Sequence, residues 1–548
     1  MIKIKLDAEK IILVIFLVIL LFIGPGSIFS HQLKHDFPYG YSASDAFQHQ
    51  TRAEAIKDAG NFRNEASYIS FGLEGLVGRY PPTLYHLAVI FSYASGMEVY
   101  DSIYFIVLLF SVVGAAMMYF IIRNFNKNAA LISLPLMILI FASPPSMGFS
   151  WGHWPSLLAQ VFLIAFAWCI VNIELKNSYF LIALILAAIA LTHTSEAVFA
   201  AIFIAIFFIF KLITGKLEKN SVKNISIGIA AFLIVSSYYL IIFMNTWAKA
   251  QPYSFSVMPA WEGNPGFYIM GFGILLIFIV IGIVFSLLKI KDIHAALIFA
   301  FAMLLSGFLN YAGFDTRAFQ IRFFWPIYLS VFFGFGVYMI MKILIKQWNQ
   351  IYSLAVLFVF IMPLIGLIKI PLVPYYENNG FQGLMDPYHW DALKWLSEKT
   401  EPDAKIYFFY GDIYGQDALL RNSKRTHYQA DPKNFVQALQ NSSIRKAYVS
   451  ELPGDSGGRP VVRKRIFDFE DVVSSKPQEF FFGPQNICNF DYLVFDKASQ
   501  QQALAQYNML IASELLKKEF IEIVQENKAV VILKNNKVGA DCIEERSF

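Results

Sequence analysis

About eleven stretches of this chain are apolar over the thickness of a lipid bilayer, and no other sequence feature restricts the fold as strongly. They lie near residues 11–30, 101–122, 129–148, 155–173, 178–195, 196–213, 224–245, 266–288, 293–311, 323–345 and 351–371. A helix rises about 1.5 Å per residue, so about 20 apolar residues cross the hydrocarbon layer. Of 548 residues, 57% are hydrophobic and only 15% are charged, which excludes an ordinary soluble core and predicts a polytopic α-helical membrane protein. Leu84–Gly96 is also apolar but too short to cross comfortably. Following Pro81 and Pro82, it reads as a re-entrant or interfacial helix. The lysines before residue 11 and the apolar run after it have the form of a secretory signal. The run continues past Gly24-Pro25-Gly26 without a small-x-small cleavage site, so a retained anchor is expected.

The basic residues orient the spans. Lys3, Lys5 and Lys10, then Arg123 and Lys127, Lys176, the lysines from Lys211 to Lys223, Lys289 and Lys291, and Lys342 and Lys346 all fall on one side if Leu84–Gly96 does not cross. The positive-inside rule makes that side the cytoplasm, so the N-terminus is expected there. The first outer loop, 31–100, and everything after Pro371 are then expected outside the cell membrane. The net charge of +4 is small, and no basic domain argues for nucleic acid.

Two domains are expected: residues 1–371 in the membrane and an extracytoplasmic α/β domain over 372–548. Lys405–Tyr410, Tyr492–Phe495 and Ala529–Leu533 read as buried strands, Asp391–Lys399 and Leu504–Phe520 have helical spacing, and Ser450–Arg465 reads as a loop. Cys169 lies in an apolar run. Cys488 and Cys542 can pair on an oxidising side or stand as separate thiols, and sequence leaves that open.

Charges close to a membrane are costly and tend to serve function. Here they gather on the expected outer side. Asp45, His49 and Arg52 share one face of a helix, and Glu54 points the other way, as a supporting group. His153 stands in Trp151-Gly152-His153-Trp154, His193 and Glu196 lie between two spans, and Arg317 and Arg322 precede the span near 323. Plainer explanations exist for each. Asp45 can serve the helix dipole, Arg52 can snorkel, and His153 can sit in an aromatic belt. His193 and Glu196 can cap a turn. Arg317 and Arg322 can be loop charges, although positive charge is disfavoured on that side.

Taken together, the set resembles the GT-C membrane glycosyltransferases. Asp45 to Arg52, then Arg52-Ala53-Glu54-Ala55-Ile56 and Gly60-Asn61-Phe62, looks like their first outer loop. It lies between the acid–x–x–Tyr–Ala–Glu pattern of aminoarabinose and protein-mannosyl transferases and the acid followed by Tyr-His-x-x-Arg of oligosaccharyltransferases. Tyr80-Pro81-Pro82 is similar to a segment of uncharacterised prokaryotic members. The likeness covers about residues 1–370. The Trp-Trp-Asp-Tyr-Gly motif that oligosaccharyltransferases use for sequon binding is missing.

The resemblance implies inverting transfer of a sugar from a polyprenyl-phosphate donor to a glycan, lipid or protein acceptor, in a prokaryotic plasma membrane among its lipids. Asp45 would be the base or hold a divalent metal, Mg or Mn. His49 would orient it or contact the phosphate, with Arg52 and Glu54 beside it. Arg317 and Arg322 would stabilise the departing phosphate, and His153, His193 and Glu196 would be further donor-site groups. Two other classes remain open. A transporter would need charges deep in the spans, which are almost wholly apolar. A membrane-anchored binding or scaffold protein would leave the polar insert unexplained.

Overall fold

The computed structural model describes residues 8–32, 35–60, 68, 80–175, 177–245, 264–312, 316–345, 350–367, 383–409, 417–430, 436, 461–462, 473–474, 484–498, 502–540 and 542. They form two compact units. The first takes in Met1–Lys34, Tyr80–Ile241 and Tyr253–Phe381, the second His35–Arg79, Ile242–Pro252 and Gln382–Phe548.

The first unit is helical, and every one of the apolar runs carries helix. Among the described residues five helices are long and apolar enough to cross a membrane: Ala8–Phe29, Val99–Phe125, Trp154–Val171, Thr194–Ile213 and Ala318–Leu344. Shorter apolar helices include Lys127–Phe141, Ser178–Ala190, Leu275–Leu288 and Ala295–Ser306. Their outward faces carry large apolar side chains, Ile213 and Leu288 being 76% and 75% exposed, which suits lipid and not water. The chain is a multi-pass membrane protein. Thr83–Ser95 is a separate 13-residue helix ended by Gly96 in the left-handed region, φ 73°. It packs on the Val99–Phe125 helix.

Polar groups mark the turns. Asn126 takes an extended backbone and accepts from Ala129 N at 2.9 Å, so one residue separates two helices. Near the N-terminus Glu9 is buried, accepts from the Tyr119 hydroxyl at 2.8 Å and pairs with Arg123, which fastens the first helix to the second. Glycines allow the closest helix contact. A Cβ on Gly282 would strike the Phe332 carbonyl, and one on Gly336 the Phe278 carbonyl, so the Leu275–Leu288 and Ser330–Leu344 helices meet backbone to backbone.

The second unit is a five-stranded sheet of order β2-β1-β5-β7-β6, with β1 Lys405–Phe409, β2 Thr426–Ala430, β5 Tyr492–Asp496, β6 Ile521–Glu526 and β7 Val530–Asn535. The β1 strand runs parallel to β2 and β5, while β7 runs antiparallel to β5 and β6. Central β1 and β5 are apolar runs, as strands covered on both faces must be. Phe409 and Phe495 stack at 4.5 Å between them. The Gln502–Leu515 helix adds Ile511 and Leu515 to this core. Val461–Val462 (β3) pairs with Val473–Ser474 (β4), so a short strand falls within the stretch expected to be loop and its partner beyond it; the rest of Ser450–Arg465 lies outside the described residues. Cys488 and Cys542 form a disulfide, their Cα atoms 5.6 Å apart, and Cys169 is buried and free.

The Pro387–Lys399 helix begins one turn earlier than its periodicity predicts. Asp386 caps it, accepting from Tyr388 N at 2.8 Å and His389 N at 3.1 Å, and Pro387 fills the first turn. His389 binds Asp386 at 2.5 Å and lies 3.2 Å from buried Asp496 at the end of β5. Burial opposes charge on this ring. The two carboxylates outweigh it and push His389 up to about 9.

Candidate active site

In the second unit the polar insert is a helix, Ser44–Ala59. It starts after extended Ala43 and ends at Gly60 with φ 62°, a left-handed cap that suits glycine. His49 and Arg52 are buried, Asp45 is exposed and Glu54 half-buried. Four residues apart, Asp45 and His49 lie one above the other. Phe47 packs edge-on to Tyr41 at 5.0 Å, and Thr51 Oγ1 donates to the Phe47 carbonyl at 2.8 Å, anchoring the inner side. Glu54 lies 3.6 Å from Lys424 Nζ and Asp58 2.7 Å from it. Burial lowers this ammonium's affinity for its proton, but Glu54 and Asp58 more than restore it, and its pKa is raised. Among the described residues no three His, Cys, Asp or Glu side chains converge as a metal site.

In the first unit two helices begin close together, Trp154–Val171 after His153 and Thr194–Ile213 after His193. Their first turns bring Ser156 and Glu196 together. The Ser156 hydroxyl donates to Glu196 Oε1 at 2.5 Å, and His193 Nδ1 binds Glu196 Oε2. Glu196 is wholly buried, so these hydrogen bonds offset the loss of water around its carboxyl oxygens. One turn on, Gln160 Nε2 donates to Ser156 Oγ at 3.2 Å and to the Gln320 carbonyl at 2.9 Å. Tyr328 donates to Gln160 Oε1 at 3.2 Å. Gln320 Nε2 then reaches His153 Nδ1 at 3.0 Å. With the amide in this orientation, the proton of a neutral His153 ring sits on Nε2.

This chain of bonds joins His153, His193 and Glu196, which the sequence offers as separate groups, through Ser156, Gln160, Gln320 and Tyr328, which sequence reasoning missed. The signal for the helical pair was present: Ser156 and Gln160 are spaced i,i+4 inside an otherwise apolar helix. Residues Thr316–Phe324 form a 3₁₀ helix, where positions three apart eclipse. Gln320 and Phe323 therefore share a side, and both meet His153, Phe323 stacking on the ring at 5.3 Å. Thr83 N donates to the Leu191 carbonyl at 3.0 Å, which places the Tyr80-Pro81-Pro82 segment next to the turn that carries His193.

Arg322 is fully buried. Its Nε donates to the Gly307 carbonyl at 2.7 Å and its Nη2 to Asn310 Oδ1 at 2.5 Å, with the Tyr268 and Trp325 rings 5.7 and 5.9 Å from the guanidinium carbon. The Arg317 side chain lies outside the described residues. Thus Asp45, His49, Arg52 and Glu54 share a helix of the second unit, while His153, His193, Glu196 and Arg322 belong to the first.

Helices at these lengths, with a polar network at their ends and an α/β sheet following, are the architecture of GT-C membrane glycosyltransferases, and the chain has that fold. The apo structure of the Archaeoglobus fulgidus oligosaccharyltransferase superposes with TM-score 0.60 at 13% identity, over 92% of this chain and 73% of that one. ArnT from Cupriavidus metallidurans, bound to undecaprenyl phosphate, superposes with TM-score 0.54 at 13% identity, over 95% of this chain and 97% of that one. ArnT in the apo state gives 0.54 at 11% identity. No protein-family model and no curated protein sequence matches the chain.

Proposed function

We propose that this protein is a glycosyltransferase of the cell membrane that moves a sugar from a polyprenyl-phosphate carrier to an acceptor on the outer face. The observation that carries this is the likeness, nearly end to end for both chains, to a structure bound to undecaprenyl phosphate. The basic turns support the orientation. The Cys488–Cys542 disulfide supports it independently, because such bonds persist on an oxidising side.

In the proposed reaction the acceptor hydroxyl attacks the anomeric carbon from the face opposite the phosphate. The new C–O bond forms as the bond to the phosphate oxygen breaks, and the hydroxyl proton passes to the Asp45 carboxylate. His49, held in the protein one turn away, orients that carboxylate. The polyprenyl phosphate leaves as an anion, with Arg317 and Arg322 supplying positive charge. Arg322 acts from a buried position, as an electrostatic stabiliser, since Nε and Nη2 already donate to Gly307 and Asn310. His153 and His193 are the proposed donor-site groups, their rings fixed by Gln320 and Glu196. The chemistry is the same for a glycan, a lipid or a protein acceptor.

The test is turnover of polyprenyl-phosphate-linked sugars, extracted from membranes, by the purified protein and by Asp45→Asn. The variant should lose at least about 100-fold in rate and keep its melting temperature. Retention of more than about a tenth of the activity would remove Asp45 from the chemistry. Reagent labelling of Ser44→Cys and Ser513→Cys in intact cells checks the orientation. Both should react from outside, and reaction of one alone would contradict it.

A further inference from the structure

We infer that Lys424 is a positioning residue for the Ser44–Ala59 helix: by bridging Glu54 and Asp58 from the turn before β2, it sets the rotation of that helix and so the presentation of Asp45 and His49. The inference rests on the functional reading above for its effect on rate, though not for its geometry. Lys424 Nζ lies 2.7 Å from Asp58 Oδ2 and 3.6 Å from Glu54 Oε2. The Tyr68 hydroxyl donates to the same Asp58 oxygen at 3.3 Å. At about 100° per residue, Glu54 and Asp58 stand on the side of the helix opposite Asp45, so the bridge grips the helix from behind the acid.

The lysine sits in an unfavourable backbone conformation. Its φ is 52°, the left-handed region that glycine and asparagine adopt with least cost. A long side chain kept at such a place points to a role for that side chain. The turn itself is pinned from its other side. Arg425 donates from Nε to Thr400 Oγ1 at 3.0 Å, and from Nη2 to the Ser397 and Thr400 carbonyls at 2.8 Å each. The short Asp417–Leu420 helix just before it packs on the Ser44–Ala59 helix.

A second brace holds the approach to the helix. Leu384 N donates to the Tyr41 carbonyl at 2.8 Å. Gly383, with φ 92°, lies so close that a Cβ there would stand 2.8 Å from that oxygen. Asp45, His49 and Arg52 therefore lie between two fixed points, one before the helix and one on its later half. Both points are supplied by residues after 382. The α/β domain thus takes part in the reaction by holding the polar helix, besides any role in choosing the acceptor.

A solvent-screened ion pair adds little to stability. Lys424 is 31% and Asp58 43% exposed at the side chain, so the pair's removal should hardly change melting. Misplacing a reacting group by about 1 Å can cost about 100-fold in rate. That separation of effects distinguishes positioning from mere support. The experiment uses the full chain in lipid nanodiscs, with polyprenyl-phosphate-linked sugars from membrane extracts as the probe and hydrogen exchange of residues 44–59 as a second readout. Lys424→Met should lower kcat about 10- to 100-fold with KM changed less than about threefold. Exchange in 44–59 should rise about tenfold. Lys424→Arg should restore kcat to within about threefold, and Glu54→Lys should recover part of the loss in Lys424→Glu. Unchanged exchange in Lys424→Met overturns the inference whatever Asp45→Asn does. Raised exchange with full turnover by Asp45→Asn overturns the functional reading instead.

Discussion

The Ser44–Ala59 helix and the network around Glu196 are both polar constellations, but they are built in opposite ways. The first is rich in charge, partly wet, and held by ion pairs such as Lys424 to Asp58 at 2.7 Å. The second is dry. Glu196, Gln160, Ser156 and Tyr328 are all at most 1% exposed, and neutral side chains supply most of the partners. The difference shows where each site keeps its free energy. In the wet helix solvent replaces a lost partner at small cost, so substitutions there should change rate more than stability. In the dry network nothing replaces a lost partner, so substitutions should change stability first.

The largest effect expected is on rate, from Asp45→Asn, at least about 100-fold in turnover with melting unchanged. A large loss of stability in that variant would erase the contrast. Next comes a matched pair of glutamates. Glu196→Ala leaves His193 and Ser156 without their acceptor in a dry interior and should cost about 1–3 kcal/mol for each group left unpaired. Glu54→Ala removes one arm of a partly solvated bridge and should cost under about 1 kcal/mol. Denaturant or thermal unfolding in detergent would compare them, and equal losses would break the contrast. Reduction of Cys488–Cys542, which closes a loop of 54 residues, should lower the stability of the α/β domain by about 2–4 kcal/mol. The helices of the first unit should melt as before.

The smallest effect is on pH dependence. His389 binds its proton more tightly folded than unfolded, with a pKa of about 9 against an ordinary 6.5. Its contribution is therefore complete below about pH 6.5 and is lost as pH rises through about 9. Asp386 shifts the other way. Burial raises its pKa, but bonds and charge from His389 prevail and lower it, so its contribution disappears as pH falls below the ordinary carboxylate range. Melting of the α/β domain should fall between pH 7 and 10, and His389→Gln should flatten that fall. A decline of equal size in the variant would assign it to other groups.

The five long membrane helices were legible because a span must be apolar for about 20 residues, whereas other apolar runs carry shorter helices, the 266–288 run being divided into Pro265–Met270 and Leu275–Leu288. Even the narrow turn between Ser178–Ala190 and Thr194–Ile213 was readable from its polar residues. The Ser44–Ala59 helix was legible for the converse reason, being polar where little polarity is needed. Central strands β1 and β5 were visible as apolar runs, but β2, Thr-His-Tyr-Gln-Ala, is a polar edge strand. In β6, Ile-Glu-Ile-Val-Gln-Glu, exposed charges interrupt the pattern. The Gln502–Leu515 helix stops short of Phe520 because the chain must turn there into β6, a tertiary demand that periodicity does not carry. The Glu196 network was hidden for a similar reason. Its members come from residues 153 to 328, and only the packing of several helices puts Gln320 against His153 and Tyr328 against Gln160. Lys424 looks like any surface lysine until its backbone and partners are known.

The central claim is that this fold releases a sugar from a polyprenyl-phosphate carrier. Its most direct test is mass spectrometry of the lipid pool after purified protein acts on membrane lipid extract together with extracted surface glycans, proteins and lipids as acceptors. Free polyprenyl phosphate should rise in step with the loss of its sugar-loaded form, and neither should change with Asp45→Asn. A sugar-loaded pool that stays constant with the parent protein, under conditions where undecaprenyl phosphate binds it, would contradict glycosyl transfer and leave a lipid-binding protein in its place.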